Sequence, residues 1–399
     1  MRTQRAAGGP VSSVGPTGAP GPRAIAEWDE LVRGHPAADV AQLSGWARVR
    51  ARAGFEPVYV LADDGGSLAG GAQVLVRRFP GIGAVGYVPY GPLVADTVTD
   101  PRAVLEELAD ELAHLGRRQL HMLFVQPPLG AEAISQALLA RGFRHSDSNI
   151  APAASLRVDL RVDEKQLRRN LSRRLQTWTN QWEARGVTVR RGGEEDLPVL
   201  ARLLADTAAH QGFTPFGVDY LATMYRELAP GGHLQVFIGE AAGRPVAMDV
   251  LTGCGEALKV RLVGLDRLSD AVRLNVPGAI RWTAMRWAKE NDYRWFDFGG
   301  LREASMRALE SGRPLDPEAI EGPDRYKVRF GGVPYRYPQP VELISSAAVR
   351  LGYDLARRSP RGQRLLARAQ RITRAGSRAL DRRGQDSTRT HDHSQGGTR

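Results

Sequence analysis

Two stretches of the 399-residue sequence resemble each other, and this repeat constrains the fold more than any other feature. The runs VYVLADDGGSLAGGAQVL (Val58–Leu75) and VFIGEAAGRPVAMDVL (Val236–Leu251) each have the pattern of an apolar strand, a turn containing glycine and a second strand. Further along, ALLARGFRHSD and RWAKENDYRWFD both end a helix and enter a strand through an aromatic residue. A duplication of this length predicts two similar domains of mixed α/β (α+β) type. A coincidence between two ordinary β-hairpins is the alternative interpretation.

Helical and strand patterns alternate around both copies. Helices are predicted at residues 24–34, 44–53, 101–118, 130–142, 194–211, 218–228 and 277–290, and strands at 57–62, 68–78, 84–90, 119–125, 187–191, 234–239, 245–252, 257–264 and 294–298. Between the copies, Asp163–Gly186 is predicted to be one helix with a basic start, capped by Asp163 and ended by Gly186.

The positive charge of the chain is concentrated towards its C-terminal end. The formal net charge is +11, but residues 346–399 contain 13 Arg and 4 Asp with no Lys or Glu, so the rest is nearly neutral. The arginines that share one helical face there are Arg357, Arg361, Arg364, Arg368, Arg371 and Arg378. Such a face predicts a polyanionic partner, either nucleic acid or an anionic membrane surface. A solvated helix in an arginine-rich sequence is the alternative.

Several function classes lack their sequence signals. The single cysteine, Cys254, excludes an intrachain disulfide framework, and the histidines have no second cluster at metal-ligand spacing. PGIGAVG (Pro80–Gly86) contains the letters G-x-G-x-x-G, but a strand follows it, so we interpret it as a turn. No apolar run approaches the roughly 18 residues of a membrane helix. The first 22 residues are expected to be a disordered leader rather than a signal peptide, and the chain is expected to be cytoplasmic.

Six markers follow one another in a fixed order. They are Trp46-Ala-Arg-Val-Arg50, Tyr90-Gly91-Pro92, ARGVTV (Ala184–Val189), DTAAHQGF (Asp206–Phe213) with Tyr220, FDFGG (Phe296–Gly300) and DRYKVRFGG (Asp324–Gly332). In this order they resemble the FemABX family of aminoacyl-tRNA-dependent aminoacyltransferases, over about residues 25–345. Members of that family attach an amino acid from aminoacyl-tRNA to an amine, usually on the peptide stem of a cell-wall precursor.

The resemblance implies a fold of two acetyltransferase-like (GNAT-type) domains in tandem, which agrees with the duplication. The expected divisions are a leader at 1–23, a first domain at 24–153 plus 331–345, a second domain at 154–330, a basic helical extension at 346–383 and a disordered tail at 384–399.

The resemblance also implies roles for individual residues. Lys327 matches a family lysine that stabilises charge at the reacting ester, although a surface lysine near a domain seam would look the same. Tyr326 and Tyr220 match aromatic positions lining the acceptor site, with ordinary core tyrosines as the alternative. Arg50 stands where the family has a phosphate-binding lysine and is able to hold a diphosphate bidentately. A solvated helix face explains Arg50 equally well.

Two positions depart from the family pattern. Gln126 replaces a strand-end aspartate once suspected as a base, so that role is empty here. Phe216 falls at or near the position of an acceptor-binding arginine, which puts a nucleotide-linked acceptor in doubt. A lipid-linked cell-wall intermediate or a small-molecule amine is then the expected acceptor.

The implied reaction is aminolysis of the aminoacyl-tRNA ester, with no metal and no organic cofactor required. The arginines expected to contact tRNA phosphates are Arg168, Arg169, Arg173, Arg174, Arg361, Arg364 and Arg368. An acyl-CoA-dependent N-acyltransferase is the alternative enzyme, because RFPGIG (Arg78–Gly83) has the letters of a pyrophosphate loop. A non-catalytic protein that binds nucleic acid or an anionic membrane is the alternative of another class.

Overall fold

Two mixed β-sheets with helices packed on them form the centre of the structure. A computed structural model describes residues 11–14, 20–148, 151–311, 320 and 322–364. The strands are β1 (Val11–Val14), β2 (Glu56–Asp64), β3 (Ser67–Phe79), β4 (Gly83–Pro89), β5 (Leu93–Val94), β6 (Met122–Gln126), β7 (Arg144–His145), β8 (Ala154–Asp159), β9 (Val187–Arg191), β10 (Leu234–Ala241), β11 (Arg244–Cys254), β12 (Ala257–Leu265), β13 (Trp295–Gly300), β14 (Val333–Arg336) and β15 (Val341–Ile344).

The helices lie between and after these strands. They are α1 (Pro22–Gly34), α2 (Ser44–Ala51), α3 (Pro101–Arg118), α4 (Glu132–Leu139), α5 (Glu164–Arg169), α6 (Arg173–Trp178), α7 (Leu197–Gln211), α8 (Val218–Leu228), α9 (Val276–Glu290), α10 (Glu303–Glu310), α11 (Pro323–Val328) and α12 (Ala347–Arg358).

The two sheets repeat one topology, which confirms the tandem arrangement predicted from the sequence. The first has the order β1-β2-β3-β4-β6-β15-β7 with β5 beside β3, and the second has the order β14-β8-β13-β12-β11-β10-β9. In each, three antiparallel strands are followed by a helix and a strand parallel to the third: β4 with β6 across α3, and β12 with β13 across α9. The fold is therefore two acetyltransferase-like units.

Each sheet contains a strand that is distant in sequence from the rest of its unit. The neighbour of β6 in the first sheet is β15, which comes from the end of the chain, while β8, which follows the first unit, lies beside β13 in the second. β14 also pairs with β8 and belongs to the second sheet. The chain therefore re-enters the first sheet at Val341, later than the start of the segment 331–345 assigned to it from the sequence.

Helix α3 illustrates how the local sequence forms these units. The Asp100 carboxylate accepts a hydrogen bond from the Ala103 amide at 3.0 Å, and Pro101 occupies the first turn, where no amide donor is needed. Leu108, Leu112 and Leu115 then recur on one face and are buried against the first sheet. Fully burying a leucine side chain contributes about 2 kcal/mol, so this helix anchors the first unit.

Two segments differ from the sequence prediction. Asp163–Gly186 is not one helix, because α5 ends at Arg169 and α6 begins at Arg173. The Ser172 amide between them donates to the carbonyl of Arg329 at 2.7 Å, and this contact outside the helix holds the break. Within the predicted leader, Val11–Val14 forms β1 and pairs with β2 instead of being disordered.

The predicted basic extension begins as a helix against the first unit. The Ser346 hydroxyl caps α12, and the helix packs on Met122, Phe124 and Ile344 through Val349 and Tyr353. A further helical turn occupies residues 360–364. The rest of the extension and the predicted tail, 365–399, lie outside the described residues.

Candidate functional site

A cleft of about 1060 Å³ lies between the two units. Its walls come from α2, β4 and β6 of the first unit, from α8 and β12 of the second, and from α12. The side chains that form most of the wall are Trp46, Arg50, Phe55, Tyr87, Met122, Phe124, Phe216, Tyr220, Met224, Arg261, Leu301 and Tyr353. Concave sites that are mostly apolar with few polar groups are typical of ligand-binding sites.

Three residues predicted to bind substrate meet in this cleft. Arg50 is buried on α2, and its Nη1 donates to the hydroxyl of Tyr220 at 3.2 Å, while its guanidinium lies 4.7 Å from the ring centre of Phe55. The ring of Phe216 stacks on that of Tyr220 at 4.4 Å, with 12° between the planes. This arrangement places one buried cation beside an aromatic wall, where it is able to attract an anionic or carbonyl oxygen.

Lys327 lies behind the end of β13 rather than in the wall of the cleft. Its ammonium donates to the carbonyl oxygens of Gly300 and, at 3.4 Å, of Gly299, and it forms an ion pair with Asp324 at 3.3 Å. The next residue along, Leu301, lines the cleft, so Lys327 contacts the strand end that continues into the wall. Burial lowers the pKa of Lys327, and the carboxylate of Asp324 opposes this shift only in part.

The structure does not bring Tyr326 and Gln126 to the cleft. Tyr326 points into the second unit, where the guanidinium of Arg281 lies 4.8 Å from its ring centre, and its hydroxyl has no hydrogen-bond partner among the described residues. Gln126 is buried at the end of β6, where its side-chain amide donates to the carbonyl of Pro338 at 2.9 Å. Its contacts tie the first sheet to the returning chain, which explains a glutamine at this strand end without catalysis.

A charged cluster that the sequence did not predict joins the two units. Asp39 of the first unit accepts hydrogen bonds from Lys259 at 2.7 Å and from Arg261 at 3.0 Å, and both cations are on β12. Although burial opposes its ionisation, these two cations hold the pKa of Asp39 far below its usual range. Lys259 is one of only four lysines in the chain, and this scarcity was the one signal that could have indicated it.

The cluster continues to the end of β13. The Lys259 ammonium also donates to the hydroxyl of Tyr337 at 3.0 Å, and the hydroxyl of Tyr335 donates to Asp297. Asp297 accepts a further hydrogen bond from the Gly299 amide at 2.8 Å, so it fixes the backbone that Lys327 contacts. Asp297 therefore orients the strand end.

The arginines predicted to bind tRNA differ in their exposure to solvent. Arg169, Arg173 and Arg174 are exposed on α5 and α6, whereas Arg168 is partly buried and donates to the carbonyl of Gln176 at 3.2 Å. In the extension, Arg361 and Arg364 are exposed. Arg357, predicted to share their face, instead forms an ion pair with Asp147, and Arg368 lies outside the described residues.

Two further findings apply to the part of the chain that the structure describes. It contains no group of three or more His, Cys, Asp or Glu side chains arranged to hold a metal ion. No helix in it combines the length and the hydropathy needed to cross a bilayer.

Comparison with known proteins defines the class. The sequence model of the acetyltransferase (GNAT) domain family matches residues 165–328, from α5 to α11. Among solved structures, FemX gives a TM-score of 0.68 at 18% identity, over 82% of this chain and 98% of FemX. L-PGS from Bacillus licheniformis gives 0.50 at 14% identity, over 83% and 95% of the two chains. Together with the two parallel strand pairs, these likenesses define a tandem acetyltransferase-like protein.

Sequence relatives narrow this class. The Lipid II:glycine glycyltransferase of Staphylococcus saprophyticus is 25% identical over 262 residues, which is 62% of this chain and 62% of the relative. The enzyme of the same name from Staphylococcus aureus is 25% identical over 224 residues, 53% of this chain and 52% of the relative. The matches thus span just over half to three fifths of the length of these relatives. These relatives and the likeness to FemX agree with the resemblance to the FemABX family that the order of the motifs indicated.

Proposed function

We propose that this protein transfers an aminoacyl group from aminoacyl-tRNA to an amine on a cell-wall precursor, forming an amide bond. The observation that carries the proposal is the cleft in which Arg50, Phe216 and Tyr220 meet, at the end of the strand that Lys327 supports. The sequence relatives are named for glycyl transfer to lipid II, which agrees with this reaction.

The chemistry is aminolysis of an activated ester. The acceptor amine nitrogen attacks the aminoacyl carbonyl and gives a tetrahedral oxyanion, whose collapse breaks the bond to the ribose oxygen. The amine loses a proton and the departing ribose oxygen gains one, so atoms and charge balance. Positioning the two substrates and stabilising the oxyanion are the contributions that the protein has to make.

Lys327 is the residue we assign to the oxyanion. An ammonium has three N–H donors, and in the structure they are directed at Gly299, Gly300 and Asp324. In the proposed reaction, one contact with a strand-end carbonyl is exchanged for the oxyanion. A charge-assisted hydrogen bond in a site that excludes water stabilises developing charge by several kcal/mol.

The mostly apolar wall around Phe216 agrees with a lipid-linked acceptor, which is the kind that the sequence relatives are named for. Phe216 places an aromatic ring on Tyr220 where the family pattern has an arginine, so this wall has one phosphate ligand fewer. Arg50 remains in this wall as a buried cation, and Arg261 of the same wall is paired with Asp39. The exposed arginines of α5, α6 and the extension are proposed to contact tRNA phosphates, and an anionic membrane face is the competing partner for the extension.

The acyl-CoA alternative has less support in the geometry. Phe79–Gly83 forms the turn between β3 and β4, and the chain continues into a strand. No helix N-terminus follows this turn to provide amide donors to a pyrophosphate.

The test is a transfer assay with the full chain. Glycyl-tRNA and other charged tRNAs are incubated with a lipid-linked cell-wall precursor, the matching nucleotide-linked precursor, or neither. We expect acceptor-dependent loss of the ester, a preference for the lipid-linked acceptor, and a loss of at least a hundredfold in Lys327→Ala. Lys289→Ala, which removes another lysine whose ammonium donates to a main-chain carbonyl, is the control. Transfer from acyl-CoA but not from tRNA would refute the proposal.

A further inference from the structure

A second cavity, of about 180 Å³, is lined by Asp39 and Lys259, and Asp39 also binds Arg261 of the cleft wall. Arg157 of β8, Trp295 of β13 and Tyr335 of β14 are among its lining residues. Arg157 faces Asp297 across the β8–β13 pairing, so this cavity is on the sheet surface directed towards the first unit. Its walls combine aromatic rings with three cations (Arg157, Lys259 and Arg294) and three carboxylates (Asp39, Glu256 and Asp297), and the proposed reaction assigns no role to Arg157.

The guanidinium of Arg157 is incompletely satisfied. It lies 3.8 Å from the ring centre of Trp295 and 4.9 Å from that of Tyr335, yet it forms no hydrogen bond and no ion pair with any residue that the structure describes. Its Nε is fully buried, and burial lowers the pKa of this arginine more than the nearby Tyr335 and Asp297 raise it. A half-buried guanidinium without a hydrogen-bond partner among the described residues is a strong site for an oxyanion.

Two further arginines lie near the same tryptophan ring, and one of them is exposed to solvent. Arg294 lies 5.1 Å and Arg161 lies 5.9 Å from the ring centre of Trp295. Arg294 is ion-paired with Glu256 at 3.1 Å and Arg161 with Asp159, so Arg157 is the member of this trio without a carboxylate partner among the described residues. Arg161 is exposed and stands at the end of β8, just before α5 with its basic surface. A row of cations from a cavity to the surface matches a chain of phosphates better than a single carboxylate.

We propose that Arg157, stacked on Trp295, binds a phosphate near the 3′ end of the RNA donor, so that the aminoacyl group enters from the side of the molecule opposite the acceptor. This inference rests on the proposed function, since it assumes an RNA-borne ester. The Asp39–Lys259 pair lines the proposed donor pocket.

The test measures binding of a fluorescein-labelled RNA minihelix with a CCA end, by anisotropy, at several salt concentrations. Arg157→Met keeps the packing on Trp295 but removes the charge, and we expect about tenfold weaker binding. The slope of log K against log salt should fall by about 0.7, the value for one contact to single-stranded phosphate. Arg157→Lys keeps the charge without the planar fork and should bind with an intermediate affinity.

The control is Arg202→Met, which removes an exposed arginine of α7 that pairs with Asp206 in the same helix and donates to the carbonyl of Pro245, and it should bind as the wild type does. If the wild type binds the minihelix and both Arg157 variants bind equally well, the inference is overturned while the proposed function stands. If the wild type itself does not bind at low salt, the RNA donor and this inference both fail. If Arg157→Met instead weakens binding of a labelled stem peptide, the cavity holds a carboxylate and the inference is overturned.

Discussion

Replacing Asp39 by asparagine should destabilise the protein far more than an ordinary surface substitution. Asp39 is 7% exposed and neutralises two cations, Lys259 at 2.7 Å and Arg261 at 3.0 Å. Asparagine has nearly the same shape, so packing is preserved and the main change is that two partly buried cations lose their nearest carboxylate. The next carboxylate, that of Asp297, is 3.8 Å from the Lys259 ammonium and is already bound to Tyr335. Removing one partner of a buried charge pair costs about 3–5 kcal/mol.

The measurement is the free energy of unfolding from urea titrations followed by tryptophan fluorescence and by circular dichroism. Asp206→Asn is the matched control, because Asp206 pairs with Arg202 at 3.8 Å on an exposed helix face and should cost less than about 0.5 kcal/mol. In a double-mutant cycle with Lys259→Met, the two costs should be non-additive by more than about 1 kcal/mol. A cost of Asp39→Asn no larger than that of the control would refute the reasoning.

The Asp39 cluster also predicts how the stability of the protein depends on pH. Because the pKa of Asp39 in the folded protein lies below its unfolded value of about 3.9, the carboxylate contributes its full stabilisation above that value. This contribution is lost as the pH falls towards the folded pKa. The stability difference between wild type and Asp39→Asn should therefore be constant from pH 5 to 7 and shrink below about pH 4.

Three further predictions concern function. Because burial lowers the pKa of Lys327 and the proposed role needs its ammonium, kcat/KM should fall as the pH rises through a value below about 10.4. Lys327→Arg should lack this fall once spontaneous ester hydrolysis is subtracted. Tyr220→Phe removes the hydroxyl that accepts from Arg50 while keeping the stacked ring, so KM for the acceptor should rise about fivefold with kcat unchanged. Replacing both Arg361 and Arg364 by glutamine should lower the salt dependence of tRNA binding, and an unchanged slope would exclude contacts at these two exposed positions.

Local patterns predicted the repeated architecture because each unit is built from neighbouring segments. The strand–turn–strand copies became β2–β3 and β10–β11, and α3 and α9 follow the third strand of each unit as their helical periodicity indicated. The placement of β8 in the second sheet and the return of the chain to the first were expected from the family resemblance and not from local patterns, since the same apolar strand satisfies either sheet. The break between α5 and α6 depends on the main chain of Arg329, more than 150 residues away. Local helix signals therefore did not predict this break.

The candidate site divides in the same way. Arg50 and Tyr220 were identifiable from their motifs, and the structure adds that one is bonded to the other. Tyr326 matched the same kind of motif but points into the second unit, because its ring packs on Phe330 and beneath Arg281. Residue type alone does not distinguish these two tyrosines.

The sequence by itself determined the class of fold from strand periodicity, the resemblance to a family from the order of its motifs, and the location of the excess charge from its composition. All three are local properties of the chain. The tertiary structure decided which charges compensate one another. Asp39, Lys259 and Arg261 are paired across 220 residues of chain, whereas Arg157 has no carboxylate partner among the described residues. The physical reason is that the free energy of a buried charge depends on which groups the fold brings within a few ångströms of it, and sequence spacing does not fix those distances.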